Sequence, residues 1–474
     1  MEPKQTSNYS LTEGGILKKL LLVAIPIMGN QFMQMAYNLT DMFWLGRVGS
    51  SAVASVGSAG MYLWLSFGFI LIGKMGAEIG VSQYLGRGDK KGALAFSQNA
   101  VIIAVTLGLL FGLAMVFFNK TLIAFFNFRE KSVAADAAEY LFITGIAMPP
   151  CFIASVVAGT FNASGNSRTP FIMNGLGLIT NMILDPVFIL IFGMGVRGSA
   201  LATIIAELIS CSAVIIALFI SKNRPFKHYS FIIRPDPIKI KQMLKWSVPI
   251  GLESILFCFL SMITTRLEIS FGADAIAVSK IGTQIESLSW LIGGGFGSAM
   301  LAFVGQNYGA KKWERIRRGT KIGALAMAVW GSLITLLFIT LGGQIFSLFF
   351  RQSSLIALGR QYLFILAFSQ LSMNMEAVAS SAFKGTGRTI PPSLVSIVCN
   401  ILRPPSALIL SRTSLGLSGI WLAITITTVM RGLWICLWYV KQSANLSVFS
   451  SGGGRGRGKS SSEQDRLTKG HIKD

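Results

Sequence analysis

Charged residues are scarce in this chain: 13% of its 474 residues are Asp, Glu, Lys or Arg, against 52% that are hydrophobic. Soluble domains carry about 25% charged residues, so an ordinary soluble globule is excluded and the bilayer is the expected solvent. Histidine is scarcer still. The two present, His228 and His471, lie outside the apolar stretches, and neither an HExxH motif, a nucleophile with a partner histidine, nor a nucleotide-binding loop occurs. An enzyme is therefore not expected, and neither is a channel, because no filter-like loop is present. The five cysteines (Cys151, Cys211, Cys258, Cys399 and Cys436) stand singly without paired spacing, which excludes a disulfide framework and suggests no cofactor.

What fills the chain is apolar runs long enough to span a membrane, each needing about 20 residues. Twelve are expected, near 17–45, 52–84, 94–118, 136–162, 168–193, 198–220, 242–268, 275–306, 321–349, 358–383, 390–411 and 417–440. The fold class is thus an all-α integral membrane protein of twelve transmembrane helices. Acids are few, and the net charge of +22 comes from Lys and Arg. These crowd one side of the expected membrane, in Lys18, Lys19, Lys90, Lys91, the stretch 222–245 and Lys311 to Lys321. That asymmetry places both termini in the cytoplasm of a multi-pass cell-membrane protein. Nucleic acid is not an expected partner, because the basic residues do not gather on one soluble face. Membrane lipids are, and a monomer is expected. The Gly-, Ser- and charge-rich tail after 442 cannot bury a core and is expected to be disordered.

The chain also repeats itself. VAIPI ending at Ile27 is answered by WSVPI ending at Ile250, VSQYLG at 81–86 by VGQNYG at 304–309, and YLFI at 140–143 by YLFI at 362–365. FNASGNSRTP at 161–170 is matched by FKGTGRTIPP at 383–392. An even number of spans per copy makes the repeat parallel, so two pseudo-symmetric six-helix bundles are expected, able to rock against each other in alternating access. The expected boundaries are an amino terminus at 1–16, a first bundle at 17–220, a cytoplasmic linker at 221–241, a second bundle at 242–441 and the tail at 442–474. Pro26 and Pro249 each remove a helical hydrogen bond and invite a bend in the first helix of their bundle.

A carboxylate in the bilayer centre costs about 2.5–3.5 kcal/mol on insertion scales, so each intramembrane acid is a functional candidate. Gln34, Tyr37 and Asp41 share one helix face by their spacing of three and four, and Asn181 shares one with Asp185. Thr203 opens the next span. Two carboxylates, an amide and a hydroxyl (Asp41, Asp185, Asn181 and Thr203) form a set of hard oxygen ligands for sodium; alternatively the two acids share a proton, because like charges resist joint ionisation. The second copy lacks this set: Asp41 falls on Thr264, and NMILDP with Asp185 is matched by NILRPP with Arg403. Glu78, one turn after Lys74, is expected to pair with it. Glu253 and Glu376 have no local partner and are expected either to line the cleft or to pair with Arg403. Met33, Met35, Met173, Met262 and Met373 are of a type that builds adaptable apolar cavities, although most such residues are ordinary packing.

These residues resemble the multidrug and toxic compound extrusion family, and within it the DinF-like branch. The resemblance spans roughly 10–441 and rests on YNLTDMFWLGRVG, VSQYLGRGD, VGQNYGAKK, FNASGNSRTP, FKGTGRTIPP, TNMILDP and GVRGSALAT. It implies a V-shaped pair of lobes that expels small organic compounds, often cationic or amphipathic, in exchange for protons or sodium. By position, Tyr37, Asp41, Asn181, Asp185 and Thr203 look like the ion-coupling site and Pro26 like the bend of the first helix. Gln34, Asn162, Met173 and Glu253 are the candidates for substrate contact. The alternative is a flippase or exporter of a lipid-linked or metabolite substrate in the same superfamily, for which a cluster of arginines in the cavity would be expected. Only Arg403, Arg431, Lys74 and Lys280 fall inside spans.

Overall fold

The computed structural model describes residues 9–128 and 130–446. The tail expected to be disordered lies, from 447 onward, outside the described residues. Everything regular among them is helical, with no strand. The order is α1 (Ile16–Val48), α2 (Ser50–Gly86), α3 (Lys90–Ala124), α4 (Lys131–Ile146), α5 (Met148–Ala163), α6 (Arg168–Pro186), a π-helical turn (Val187–Ile191), α7 (Gly195–Ile220), α8 (Pro237–Ile269), α9 (Ala273–Gly309), α10 (Trp313–Ser347), α11 (Ser353–Gly385), α12 (Ile390–Ser411) and α13 (Leu417–Leu446). Among the described residues eleven helices are long and apolar enough to cross a membrane, or twelve when α4 and α5, which meet at a bend of 50°, are counted together as one span.

That bend is one place where the expected continuous span at 136–162 differs from the structure. Pro149 and Pro150 occupy the first turn of α5, where missing N–H groups cost nothing, so the chain restarts a helix after Ala147 instead of continuing α4. The matching stretch of the second bundle has no proline, and α11 runs unbroken for 33 residues. The other ends follow local chemistry. Asp89 caps α3 by accepting from Gly92 N at 2.8 Å, and Asp236 caps α8 by accepting from Ile238 N at 3.1 Å and Lys239 N at 3.2 Å, with Pro237 set for the first turn. The ammonium of Lys239 hydrogen-bonds Asp236 and holds its carboxyl below the usual carboxylate range. Helix α8 thus begins inside the stretch expected to be linker. Gly272, at φ +98°, makes the tight turn from α8 to α9 that a side chain would resist.

Each bundle has its own core. Phe96, Phe152 and Phe161 are fully buried in the first, and Phe346, Leu363 and Trp421 in the second. A third apolar cluster joins them, in which Leu20, Val23 and Ala24 of α1 pack on Phe296, Met300 and Phe303 of α9. The bundles meet along α2 with α8, α1 with α9, and α2 with α9.

The join is concentrated at one end, the end carrying the start of α8 and the finish of α2 and α9. There Gln83 Nε2 donates to Gly385 O at 2.9 Å and Gln306 Nε2 to Ala163 O at 2.8 Å, each from one bundle to the other. Gly86 lies on the backbone of Gln306, and Gly309 on that of Gln83, so closely that a Cβ at either would collide with a carbonyl. The repeated Gln-x-x-Gly of VSQYLG and VGQNYG is therefore one reciprocal crossing of α2 and α9. Residues just before α1 strengthen it: Leu11, 1% exposed, donates its N–H to Gln306 Oε1 at 2.9 Å and accepts from Asn307 Nδ2 at 3.2 Å. At the opposite end, Gly46, Gly57 and Gly60 have open space where a side chain would be. Cross-bundle hydrogen bonds thus close the molecule at the linker end, and among the described residues none joins the bundles near Gly46, Gly57 and Gly60.

Candidate functional site

The polar stripe of α1 meets α6 and α7 inside the first bundle. Asp41, 6% exposed, accepts through Oδ1 from Ser199 Oγ at 2.7 Å. The Tyr37 hydroxyl and Thr203 Oγ1 are 3.3 Å apart. With its amide turned to satisfy both neighbours, Asn181 donates to Asp185 Oδ2 at 2.9 Å and accepts from Thr203 N at 3.2 Å. Asp185 is wholly buried, and its Oδ1 has no hydrogen-bond partner. Asp41 is the charge that Asp185 feels. Tyr37, Asp41, Asn181, Asp185 and Thr203, drawn from three helices, are thus brought together.

Local structure explains the placement. Spacings of four put Tyr37 with Asp41 and Asn181 with Asp185 on single faces. Pro186 then cannot donate to the helix, and the backbone widens into the π-helical turn over Val187–Ile191, a feature common where helices carry function.

Two members were missed from sequence. Ser199 supplies the hydrogen bond to Asp41, and the Tyr140 hydroxyl of α4, 2% exposed, lies beside Thr203 and Ser199 with both carboxylates in range. The signal for Tyr140 was the YLFI repeat, whose second copy places Tyr362 beside Thr283 Oγ1 at 3.2 Å and near Glu286. A small serine in an apolar helix has no comparable mark. Glu207 of α7 is farther along the same helix, against Cys151 of α5.

The four substrate candidates do not assemble. Gln34 is exposed on α1, Met173 is half-buried against the first-bundle core, Asn162 is buried beside Glu78, and Glu253 lies on α8 in the field of Arg431. No hydrogen bond joins any two of them among the described residues. Pro26 lies within α1, which stays helical through it. Nearby, Ser167 Oγ donates to Val23 O at 2.7 Å, tying this part of α1 to the turn between α5 and α6.

Charges in the second bundle are arranged differently. Glu376 Oε2 accepts from Arg431 Nε at 2.7 Å, so its ion pair is with Arg431 and not with Arg403. Glu253 Oε2 is buried without a partner, and Glu286 Oε1 accepts from Gln370 Nε2 at 3.1 Å. Lys74 is the charged neighbour of Glu78, yet the two do not close an ion pair; both Glu78 oxygens are buried without a hydrogen bond. Among the described residues no group of three His, Cys, Asp or Glu side chains is placed to hold a metal.

Known proteins match this architecture closely. The family model MatE matches residues 26–187 and again 249–409. A protein described as probable multidrug resistance protein NorM, from Thermotoga maritima, is 26% identical over 432 residues, covering 88% of this chain and 90% of its own. Probable multidrug resistance protein YpnP of Bacillus subtilis is 25% identical over 436 residues, covering 91% and 96%. A solved structure described as the outward-facing conformation of a multidrug resistance MATE family transporter superposes with a TM-score of 0.86 at 20% identity, covering 94% of this chain and 99% of that one.

Proposed function

The chain belongs to the MatE family, a family of membrane transporters, and from that premise we propose that it antiports cationic or amphipathic organic compounds against protons or sodium. The full-length relatives described as multidrug resistance proteins support export as the direction and a broad substrate range. The single observation that carries the coupling is the Asp41–Asp185 cluster: two carboxylates lined by hydroxyl and amide groups, one oxygen of Asp185 unpartnered, and, among the described residues, no lysine or arginine in an ion pair with them. An acid buried in a membrane protein without a counter-ion is stabilised by a proton or by an arriving metal ion. Its charge state then depends on which side the site faces.

In this reading the linker end is cytoplasmic, as the concentration of Lys and Arg favours. The conformation is then outward-facing. Binding of the ion at Asp41 and Asp185 shifts the first bundle, the closed crossing of α2 and α9 separates, and the substrate site opens inward. Gln34, Asn162, Met173 and Glu253 remain candidates for substrate contact.

The test is efflux of a fluorescent organic cation from proteoliposomes, driven first by a sodium gradient and then by a proton gradient. One gradient is expected to drive export and the other not. Export that runs equally without either would overturn the antiport reading.

A further inference from the structure

Arg403 is half-buried and, among the described residues, has no counter-ion in contact. At the proline break shared by the repeats, NMILDP in α6 and NILRPP in α12, the first bundle carries Asp185 and the second Arg403. Its Nε donates to Thr427 Oγ1 at 3.1 Å and its Nη2 to Thr428 Oγ1 at 3.2 Å. Hydroxyls orient a guanidinium but do not neutralise it. Of the acids whose charge reaches it, Glu376 is ion-paired with Arg431, and Glu286, which acts on Arg403 from beyond contact, accepts its hydrogen bond from the neutral amide of Gln370. Neither closes an ion pair with Arg403 among the described residues, and Arg431 is a second positive charge in range.

An aromatic surface adjoins the guanidinium. The guanidinium carbon is 5.9 Å from the Phe257 ring centroid of α8. Phe257, 36% exposed, meets Trp64 of α2, 46% exposed, edge to face at 6.3 Å, so this pair bridges the two bundles. A guanidinium has five donors in a planar fork that fits a carboxylate or phosphate. Two are used here by threonines whose geometry fixes the fork, and an apolar body would rest on the rings.

We infer that Arg403 is an oxyanion-binding group that receives the carboxylate or phosphate of an amphipathic substrate, with Phe257 and Trp64 as the apolar shelf. This deepens the exporter reading and rests on it: the second bundle binds the acid group of cargo, and the first bundle handles the coupling cation. The oxyanion could belong to a water-soluble aryl acid or to a lipid headgroup, and the two sources are separable by assay.

The full-length protein in proteoliposomes is given three probes: a fluorescent aryl carboxylate, its uncharged amide, and a fluorescent organic cation. A fourth arm follows a headgroup-reachable fluorescent phosphatidic acid by dithionite quenching. In R403Q, movement of an acidic probe should fall at least about tenfold, the scale of a charge-assisted hydrogen bond, while cation export persists; R403K should restore part of the loss. Which acidic probe responds identifies the source. The inference is overturned if R403Q leaves acid movement unchanged, if it lowers all probes equally, or if the wild type exports the cation but moves neither acid. Failure of the wild type to move any probe would instead sink the exporter reading. Should R403Q not fold, binding to the wild type decides: the aryl carboxylate must compete with a bound acidic fluorophore and its amide must not.

Discussion

The two bundles repeat one chain path and differ in the buried charges they carry. In the first, Asp41 and Asp185 are surrounded by Tyr37, Tyr140, Asn181, Ser199 and Thr203, polar groups that can hydrogen-bond a carboxylate without cancelling its charge. In the second, Arg431 stands against Glu376 at 2.7 Å. A carboxylate with its own guanidinium has little need of a cation from solution, and removing one partner leaves the other expensively unpaired. A carboxylate without one must obtain its neutralising charge from outside. That difference is what the proposed division rests on, with ion handling in one half of a duplicated scaffold and cargo recognition in the other.

The sharpest way to break this comparison is to neutralise one acid in each half. Asp41→Asn and Asp185→Asn should each abolish gradient-driven export in vesicles while the protein remains folded, as judged by its thermal melt. Glu376→Gln should instead show itself as lost stability, because it strands Arg431. Wild-type export by both first-bundle variants would end the assignment.

How much of this was legible in the sequence depends on where each signal resides. Apolar length and the paired motifs carry the helices and the duplication, because both are properties of single segments. Four residues of the first-bundle cluster, Tyr37, Asp41, Asn181 and Asp185, could be chosen for the same reason: i, i+4 spacing is local, and a buried acid is conspicuous; Thr203 entered as the residue that opens the next span and through the family resemblance. Tyr140 and Ser199 joined only once α4 and α7 were packed: the YLFI repeat marked Tyr140 as repeated but not as a neighbour of the acids, and an isolated serine in a membrane helix has no cost that marks it. Glu376 was readable as an acid in need of a partner, yet Arg431 and Arg403 were equally available along the chain, and only the packing of α11 on α13 decides between them. The bend between α4 and α5 is a different case. Its cause, Pro149 and Pro150, was in view, and an apolar stretch of the right length hid it.

A second prediction concerns what the bundles share. Gly86→Val and Gly309→Val should have similar effects, because each puts a side chain into the other helix of the same reciprocal crossing. Overpacking typically costs about 1–3 kcal/mol, and here it is charged to the closed linker end alone. The equilibrium between conformations should therefore shift about 5- to 150-fold toward opening at that end. Distances between spin labels placed at the ends of α2 and α9 would report it. A shift in one variant and not its mate would mean that the crossing is not symmetric in energy.

The smallest expected difference is between the two prolines. Pro26 and Pro249 occupy matching places in α1 and α8, and each leaves a carbonyl four residues back without its helical donor. Replacement by alanine offers that donor back, worth about 1 kcal/mol net, which is about fivefold on an equilibrium. In α1 that change acts on the helix that carries Asp41, beside the tie from Ser167 to Val23, so Pro26→Ala should slow both conformational cycling and transport by roughly that factor. Helix α8 carries no member of the ion cluster, and Pro249→Ala should alter cycling less. Equal slowing by both would argue that each bundle bends in the cycle, and that the asymmetry between them is confined to charge. No slowing by Pro26→Ala would show that the first helix acts as a rigid carrier of Asp41 and that the moving part lies elsewhere.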